Sequence, residues 1–127
     1  MNKYGQAAIK AAEPSELRNF PIEAWEKATF EIFGDLPSQK KGCPKSTFLA
    51  LAEKGLVKNI LPGSITKAKE NKEYALKAIY ILIENSKQPS SLSSIELWYK
   101  VQNIDKKYNS QMDVVLALWN NNLIKKI

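Results

Sequence analysis

Two distant stretches of this chain align with each other without gaps. They are FLALAEKGLVKNI at residues 48–60 and VLALWNNNLIKKI at residues 115–127, and six of the thirteen positions are identical. Upstream of them, IEAWEK at residues 22–27 matches IELWYK at residues 95–100. Nearer the start of each half, the matching residues are Tyr4 with Tyr74, Ala8 with Ala78 and Ile9 with Ile79. Three segments therefore recur in the same order, which predicts a duplicated unit.

Apolar residues recur at helical spacing through nearly the whole chain, with no convincing run at the two-residue spacing of a strand. Proline at the first position and glycine after the last position mark the second helix, from Pro21 to Gly34. Gly55 and Asn122 are predicted to take the left-handed conformation after the third and sixth helices. The six predicted helices begin near Lys3, Pro21, Gly42, Lys69, Ser94 and Ser110.

The predicted fold is therefore all-α, a single compact domain over residues 1–127 with about six helices. Its halves are two related three-helix units, about residues 1–61 and 68–127. Each half has too little apolar surface to fold alone, so the two are expected to share one core. The alternative is that amphipathic helices resemble one another by composition.

The composition excludes several kinds of site. The chain has no histidine and one cysteine, which removes serine-histidine and cysteine-histidine catalysis and argues against a structural zinc site. No glycine-rich nucleotide loop occurs. We expect no metal and no cofactor. No apolar stretch approaches the ~18 residues of a membrane span and no signal peptide is recognisable, so a cytoplasmic protein without a membrane partner is expected.

The net charge of +6 is unevenly distributed. Residues 38–72 contain eight lysines and two glutamates, which accounts for the whole excess, whereas residues 13–35 contain six acidic and two basic residues. Such a distribution could steer an anionic partner to one side of the molecule. The alternative is that the lysines only solvate loops.

Lysines surround the start of the third helix, where backbone N–H groups lack helical partners. That arrangement suits a phosphate or carboxylate, and a longer lysine patch could follow a nucleic-acid backbone. The candidate residues for binding an anion or nucleic acid are Lys40, Lys41, Cys43, Lys45, Lys67, Lys69 and Lys72. Cys43 has two further interpretations, a poor helix cap or a thiol made reactive by the helix and the lysines.

A second polar cluster lies at the start of the sixth helix and consists of Asn109, Ser110, Gln111 and Asp113. In the repeat alignment Ser110 is opposite Cys43. One interpretation is a capping box, in which Ser110 caps the helix and Asp113 follows three residues later. The other is a polar cleft that this cluster shares with Lys40 and Lys41.

Several stretches, among them NKYGQAAIKAA, SQKKGCPKSTFLAL, NKEYALKAI and NSQMDVVLALW, carry a family resemblance. The chain resembles a family of small bacterial proteins classed only as a domain of unknown function. The similarity covers most of the length. This resemblance implies an α-helical cytosolic protein and no assigned activity or catalytic residue.

The sequence favours non-enzymatic binding of nucleic acid or of a phosphate-containing ligand through the basic helix start. A protein-interaction or adaptor module, using the acidic residues 13–35 or a cleft between the halves, is the alternative. A second alternative is an enzyme that uses Cys43. The sequence does not fix the oligomeric state.

Overall fold

The computed structural model describes residues 2–62, 69–85, 92–101 and 108–125. Six α-helices occur in these ranges: Lys3–Ala11 (α1), Pro21–Phe33 (α2), Gly42–Glu53 (α3), Lys69–Asn85 (α4), Ser94–Val101 (α5) and Gln111–Asn120 (α6). Short 3-10 helices at Glu16–Asn19 and Pro37–Lys40 precede α2 and α3. The predicted all-α fold with six helices is confirmed.

Local sequence signals set most helix ends. The Asn2 side chain caps α1 by accepting hydrogen bonds from the backbone N–H groups of Tyr4 and Gly5. Pro21 is the first residue of α2, where its missing N–H costs nothing, and Gly34 follows the last residue with φ of 68°. These boundaries agree with the prediction for the second helix.

The helices of the two halves pack against each other. The first helix of each half contacts the third helix of the other, because α1 lies on α6 and α4 lies on α3. In addition, α1 contacts α2 and α5 contacts both α4 and α6. The interior therefore belongs to both halves, and its largest fully buried apolar side chains include Trp25, Phe48, Leu51, Leu82, Leu97, Met112, Leu118 and Trp119.

The ends of the aligned stretches bind each other through backbone hydrogen bonds. The N–H of Lys58 donates to the carbonyl of Leu123 at 2.8 Å, and the N–H of Lys125 donates to the carbonyl of Leu56 at 2.7 Å. The two bonds flank an antiparallel bridge between Val57 and Ile124. The repeat alignment pairs Lys58 with Lys125 and Leu56 with Leu123, so the two bonds of this clasp, residues 56–58 with 123–125, correspond to each other.

Ser110 occupies the capping position of α6 as predicted, but the predicted side-chain cap is wrong. Ser110 precedes α6 with a left-handed φ of 66° and makes no capping hydrogen bond through its side chain. The Tyr108 hydroxyl instead accepts from the N–H of Asp113 at 3.0 Å. Cys43 is not a cap either, because it is the second residue of α3 and Lys41 occupies the capping position.

Gly55→Ala is expected to lower the free energy of unfolding by about 1–2 kcal/mol, because Gly55 has φ of 70° and a side chain disfavours that conformation. Space is not the cause, since a Cβ there would meet Pro62 at an ordinary 3.7 Å. Gly42→Ala is the matched control, because a Cβ at Gly42 would meet no atom within 4 Å and the residue has no positive φ. Urea denaturation of both variants measures the difference, and equal stabilities would contradict it.

Candidate functional site

The start of α3 is a helix end without a side-chain cap. Lys41 occupies the capping position and makes no capping hydrogen bond. Gly42 and Cys43 follow in the first turn, where an α-helix supplies no carbonyl partner for backbone N–H groups, and Pro44 has no N–H. The helix therefore presents partial positive charge at this end.

A cavity of about 230 Å³ lies beside this helix start. Its lining residues come from α2, from the 3-10 helix before α3 and from α3 itself, and they are Trp25, Glu26, Gln39, Lys40 and Lys45. We call it the Trp25 cavity. Lys40 and Lys45 are two of the residues that the sequence predicted for anion binding.

Trp25 contributes an unsatisfied hydrogen-bond donor. Its side chain is 1% exposed, and its indole Nε1–H has no partner among the described residues. The ring system also packs on Phe48, with ring centroids 5.2 Å apart. A buried N–H without an acceptor costs about 1–3 kcal/mol, so an acceptor at this atom, from water or from a ligand, stabilises the protein.

The charges of the Trp25 cavity are net positive. Lys40 and Lys45 contribute two cations and Glu26 contributes one carboxylate. The Lys45 Nζ lies 3.5 Å from Glu26 Oε2, and the two side chains are 32% and 54% exposed. An ion pair this open to water is weak, so Lys45 can turn towards an anion at little cost.

Hydrogen bonds from the 3-10 helix to α2 fix the wall of the Trp25 cavity. The Gln39 Nε2 donates to Thr29 Oγ1 at 3.1 Å and to the backbone carbonyl of Glu26 at 3.4 Å. The Thr29 hydroxyl in turn donates to the carbonyl of Trp25 at 2.9 Å. This chain of bonds holds the segment that carries Lys40 against the helix that carries Trp25.

Two other predicted lysines have partners outside the Trp25 cavity. The Lys41 Nζ lies 5.7 Å from the centre of the Tyr4 ring, in a cation–π contact. Lys72 forms an ion pair with Glu53, at the opposite end of α3 from Lys45. The structure thus brings Lys40 and Lys45 together and separates Lys72 from them by the length of a helix.

Two more of the predicted lysines have no described side chain. Lys67 lies outside the described residues, and of Lys69 the structure describes only its position as the first residue of α4. A continuous lysine track along this side of the protein therefore stays a prediction.

The starts of α3 and α6 lie close together. The polar cleft that residues 109–113 were expected to share with Lys40 and Lys41 stays a prediction. The Asn109 Nδ2 contacts the Cys43 sulfur at 3.8 Å. Cys43 is a free, half-buried thiol, and this amide partner is neither an acid nor a base. Gln111 turns inward instead, where its Nε2 donates to Asn71 Oδ1 at 3.2 Å and its Oε1 accepts from the N–H of Asn109 at 2.7 Å.

Asp113 is hydrogen-bonded to Tyr108. The Tyr108 hydroxyl donates to the Asp113 carboxylate while it accepts from the N–H of the same residue. Burial and then the hydrogen bond to Asp113 raise the pKa of Tyr108 well above its usual range. The polar residues predicted to form one cluster at 109–113 therefore have separate partners. Asn109 contacts a thiol, Gln111 pairs with a buried amide, and Asp113 binds a tyrosine.

A groove between α1 and α2 is a weaker candidate for a ligand site. It contains Lys10, Glu13 and Glu31, and Lys10 forms an ion pair with Glu31 at 3.2 Å. Its acidic residues lie within residues 13–35, the acidic segment that a protein-interaction or adaptor module was expected to use. Among the described residues, it offers no buried polar atom that lacks a partner.

The sequence did not indicate Trp25 as a hydrogen-bond donor at the site. It also missed Glu26 and Gln39 as cavity residues. No sequence signal indicated the unpartnered Nε1–H of Trp25, because it depends on how the residues around Trp25 pack.

Comparison with protein families assigns the chain to a family. The model of a family of unknown function, DUF6979, matches residues 1–125. The chain belongs to this family. The resemblance inferred from the sequence is confirmed in that respect. No curated protein and no solved structure matches the chain.

Two further findings on the described residues concern membrane-spanning helices and metal sites. None of the helices in the described ranges is both long and apolar enough to cross a bilayer. Within the same ranges, no three metal-ligating side chains are grouped closely enough to hold an ion.

Proposed function

We propose that this protein binds a small ligand with a phosphate or similar anionic group, without catalysis, in the Trp25 cavity. The observation that carries the proposal is the unpartnered, buried Nε1–H of Trp25, a residue that lines the cavity together with two lysines. A cytoplasmic location, where the free thiol of Cys43 stays reduced, belongs to the same proposal.

Each group at the cavity has a role in this proposal. Lys40 and Lys45 neutralise the anion, and the N–H groups in the first turn of α3 favour it through the helix dipole. The Trp25 N–H donates a hydrogen bond to an anion oxygen. Because this N–H is shielded from solvent, the side chains that cover it have to move before a ligand reaches it.

A single anion suits the described lysines better than a nucleic-acid backbone does. A nucleic-acid track needs several free cations in a row, since each neutralised phosphate releases counterions. Lys45 is shared with Glu26, and Lys72 is paired with Glu53 far from the cavity. The enzyme alternative has less support, because the thiol of Cys43 contacts an amide.

Calorimetric titration with inorganic phosphate tests the proposal. We expect saturable binding by the full chain, weakened about ten-fold or more when Lys40→Gln and Lys45→Gln are combined, because charge-assisted hydrogen bonds contribute about 1.5–3 kcal/mol each. Lys27→Gln combined with Lys54→Gln is the control with equal loss of charge. Equal affinity of the two double variants, or no binding by the unmodified protein, would refute the proposal.

A second pair of variants tests the indole donor. Trp25→Phe keeps a ring in the core and removes the N–H, and we expect it to weaken phosphate binding about five-fold or more. Trp98→Phe removes the aligned indole in the other half and should leave the affinity unchanged. Circular dichroism checks that both variants fold, and unchanged binding by a folded Trp25→Phe variant would refute the role of the donor.

Glu26→Gln is expected to strengthen phosphate binding by about two- to five-fold. The change removes a negative charge from the cavity and frees Lys45 from an exposed ion pair, whose loss costs at most about 1 kcal/mol of stability. Glu23→Gln, on the same helix and exposed, is the matched control. Titration of both variants at equal ionic strength measures the effect, and weaker binding by Glu26→Gln would contradict the expectation.

A further inference from the structure

The groove between α1 and α2 consists of two adjoining cavities. One, of about 140 Å³, lies at the end of α1, and the other, of about 390 Å³, lies along the same two helices. Lys10, Glu13 and Glu31 line both cavities, so the two form one continuous space. We call this space the α1–α2 groove.

Four charged side chains line the α1–α2 groove, and their charges sum to zero. Lys10 and Lys27 are cationic, and Glu13 and Glu31 are anionic. Lys10 and Glu31 form an ion pair at 3.2 Å between the two helices, with side chains 43% and 42% exposed. An ion pair this open to water contributes little to stability, so it can open for a ligand.

Glu13 and Lys27 are the unpaired charges of the groove. Among the described residues, neither side chain has an ion-pair or hydrogen-bond partner. Glu13 follows the end of α1, where the carbonyl groups of the helix present partial negative charge. That place favours a cation, whereas Lys27 on α2 favours an anion in the same cavity.

This pattern of charge selects the class of ligand. A ligand with only an anionic group gains from the two lysines and is repelled by the two glutamates, and a ligand with only a cationic group meets the reverse. A molecule with both an ammonium and a carboxylate group gains from both signs, through charge-assisted hydrogen bonds. The groove is therefore complementary to a zwitterion.

Apolar side chains make up much of the remaining wall. The buried residues Ala11, Ala24 and Ala28 line the smaller cavity, and the half-buried Ile9 and Ile32 line the larger one. The smaller volume corresponds to roughly five water molecules at ~30 Å³ each, which leaves room for the charged end of an amino acid. The larger cavity has room for a side chain, and its isoleucines suit an apolar one.

From these observations we propose that the α1–α2 groove binds a free amino acid with an apolar side chain. The ammonium group lies between Glu13 and the end of α1, and the carboxylate lies at Lys27. The side chain lies along Ile9 and Ile32. The groove shares no lining residue with the Trp25 cavity, so the two binding proposals are tested independently.

Calorimetric titrations of the full chain with leucine, leucinamide, N-acetylleucine and glycine test the proposal. We expect leucine to bind saturably and the other three to bind about ten-fold more weakly. Leucinamide lacks the carboxylate and N-acetylleucine lacks the ammonium group, so each loses a charge-assisted hydrogen bond, and glycine lacks the apolar side chain.

Each other outcome of these titrations overturns a defined part of the proposal. Equal affinity for leucine and either blocked derivative would overturn the recognition of a zwitterion. Equal affinity for leucine and glycine would overturn the role of the apolar wall. Absence of leucine binding would overturn the site itself.

Single-charge variants test the two unpaired groups. We expect Glu13→Gln and Lys27→Gln each to weaken leucine binding about ten-fold, because each removes one partner of the zwitterion. Glu16→Gln and Lys54→Gln, at exposed residues outside both cavities, are the matched controls and should leave the affinity unchanged. Circular dichroism checks folding, and unchanged leucine affinity in a folded Glu13→Gln or Lys27→Gln variant would overturn the role of that residue.

Discussion

Leu51→Ala and Leu118→Ala should each lower the free energy of unfolding by about 2–5 kcal/mol. The two residues are aligned by the repeat and both are 0% exposed. Each substitution removes buried apolar surface and leaves a cavity in a core to which helices of both halves contribute. We therefore expect similar losses from the two variants, each in one cooperative transition, measured by urea denaturation with circular dichroism.

The control for this experiment is Leu36→Ala, since Leu36 is 59% exposed and its truncation should change stability by less than about 0.5 kcal/mol. A biphasic transition in either core variant would contradict the expectation. It would mean that one half unfolds while the other stays folded, which a shared interior does not allow.

Gln111→Ala is expected to lower the free energy of unfolding by about 2–4 kcal/mol. Gln111 is 0% exposed and Asn71 is 6% exposed, and their hydrogen bond joins α6 to α4 inside the core. Truncation leaves the Asn71 amide without this partner and also opens a cavity. The measurement is again urea denaturation, in which Gln111→Met isolates the polar part because it nearly conserves volume.

A double-mutant cycle distinguishes the lost hydrogen bond from lost packing. Asn71→Leu combined with Gln111→Met should cost less than the sum of the single changes, because removing both partners leaves no unsatisfied amide between the two positions. Asn19→Ala, at an exposed amide, is the control and should have little effect. If the stability loss of the double variant equals the sum of the two single losses, the Asn71 and Gln111 amides do not stabilise each other.

Local rules explain why the helix boundaries could be predicted from the sequence. Pro21 and Gly34 act through their own backbone preferences, and Gly55 and Asn122 take the left-handed conformation, with φ of 70° and 59°. None of these effects requires knowledge of a distant residue. The all-α fold and the order of its helices followed from the same short-range signals.

Capping of α6 could not be predicted, because it depends on a side chain that the local pattern does not reveal. Ser110 has the right chemistry for a cap, yet it takes a left-handed conformation. The hydroxyl of Tyr108 then provides the acceptor while its ring packs on Trp98. The Tyr108 hydroxyl, positioned by packing of its ring on Trp98, thus takes the role predicted for the Ser110 side chain.

The candidate site was only partly predictable for the same reason. Lys40 and Lys45 stand out in the sequence because they cluster before a helix. The pairing of Lys45 with Glu26 and the unsatisfied N–H of Trp25 arise only when α3 packs near α2. An unpartnered donor is a property of the assembled core, so no pattern in the chain could have indicated it.

The clasp between residues 56–58 and 123–125 has a consequence for the order of folding. Its paired residues are 67 positions apart, so forming it closes a long loop, whose entropic cost rises with the logarithm of loop length. Helices such as α1 and α2, which are close in sequence, can pair before that loop closes. We therefore expect the clasp to join late, after both sets of helices have begun to assemble.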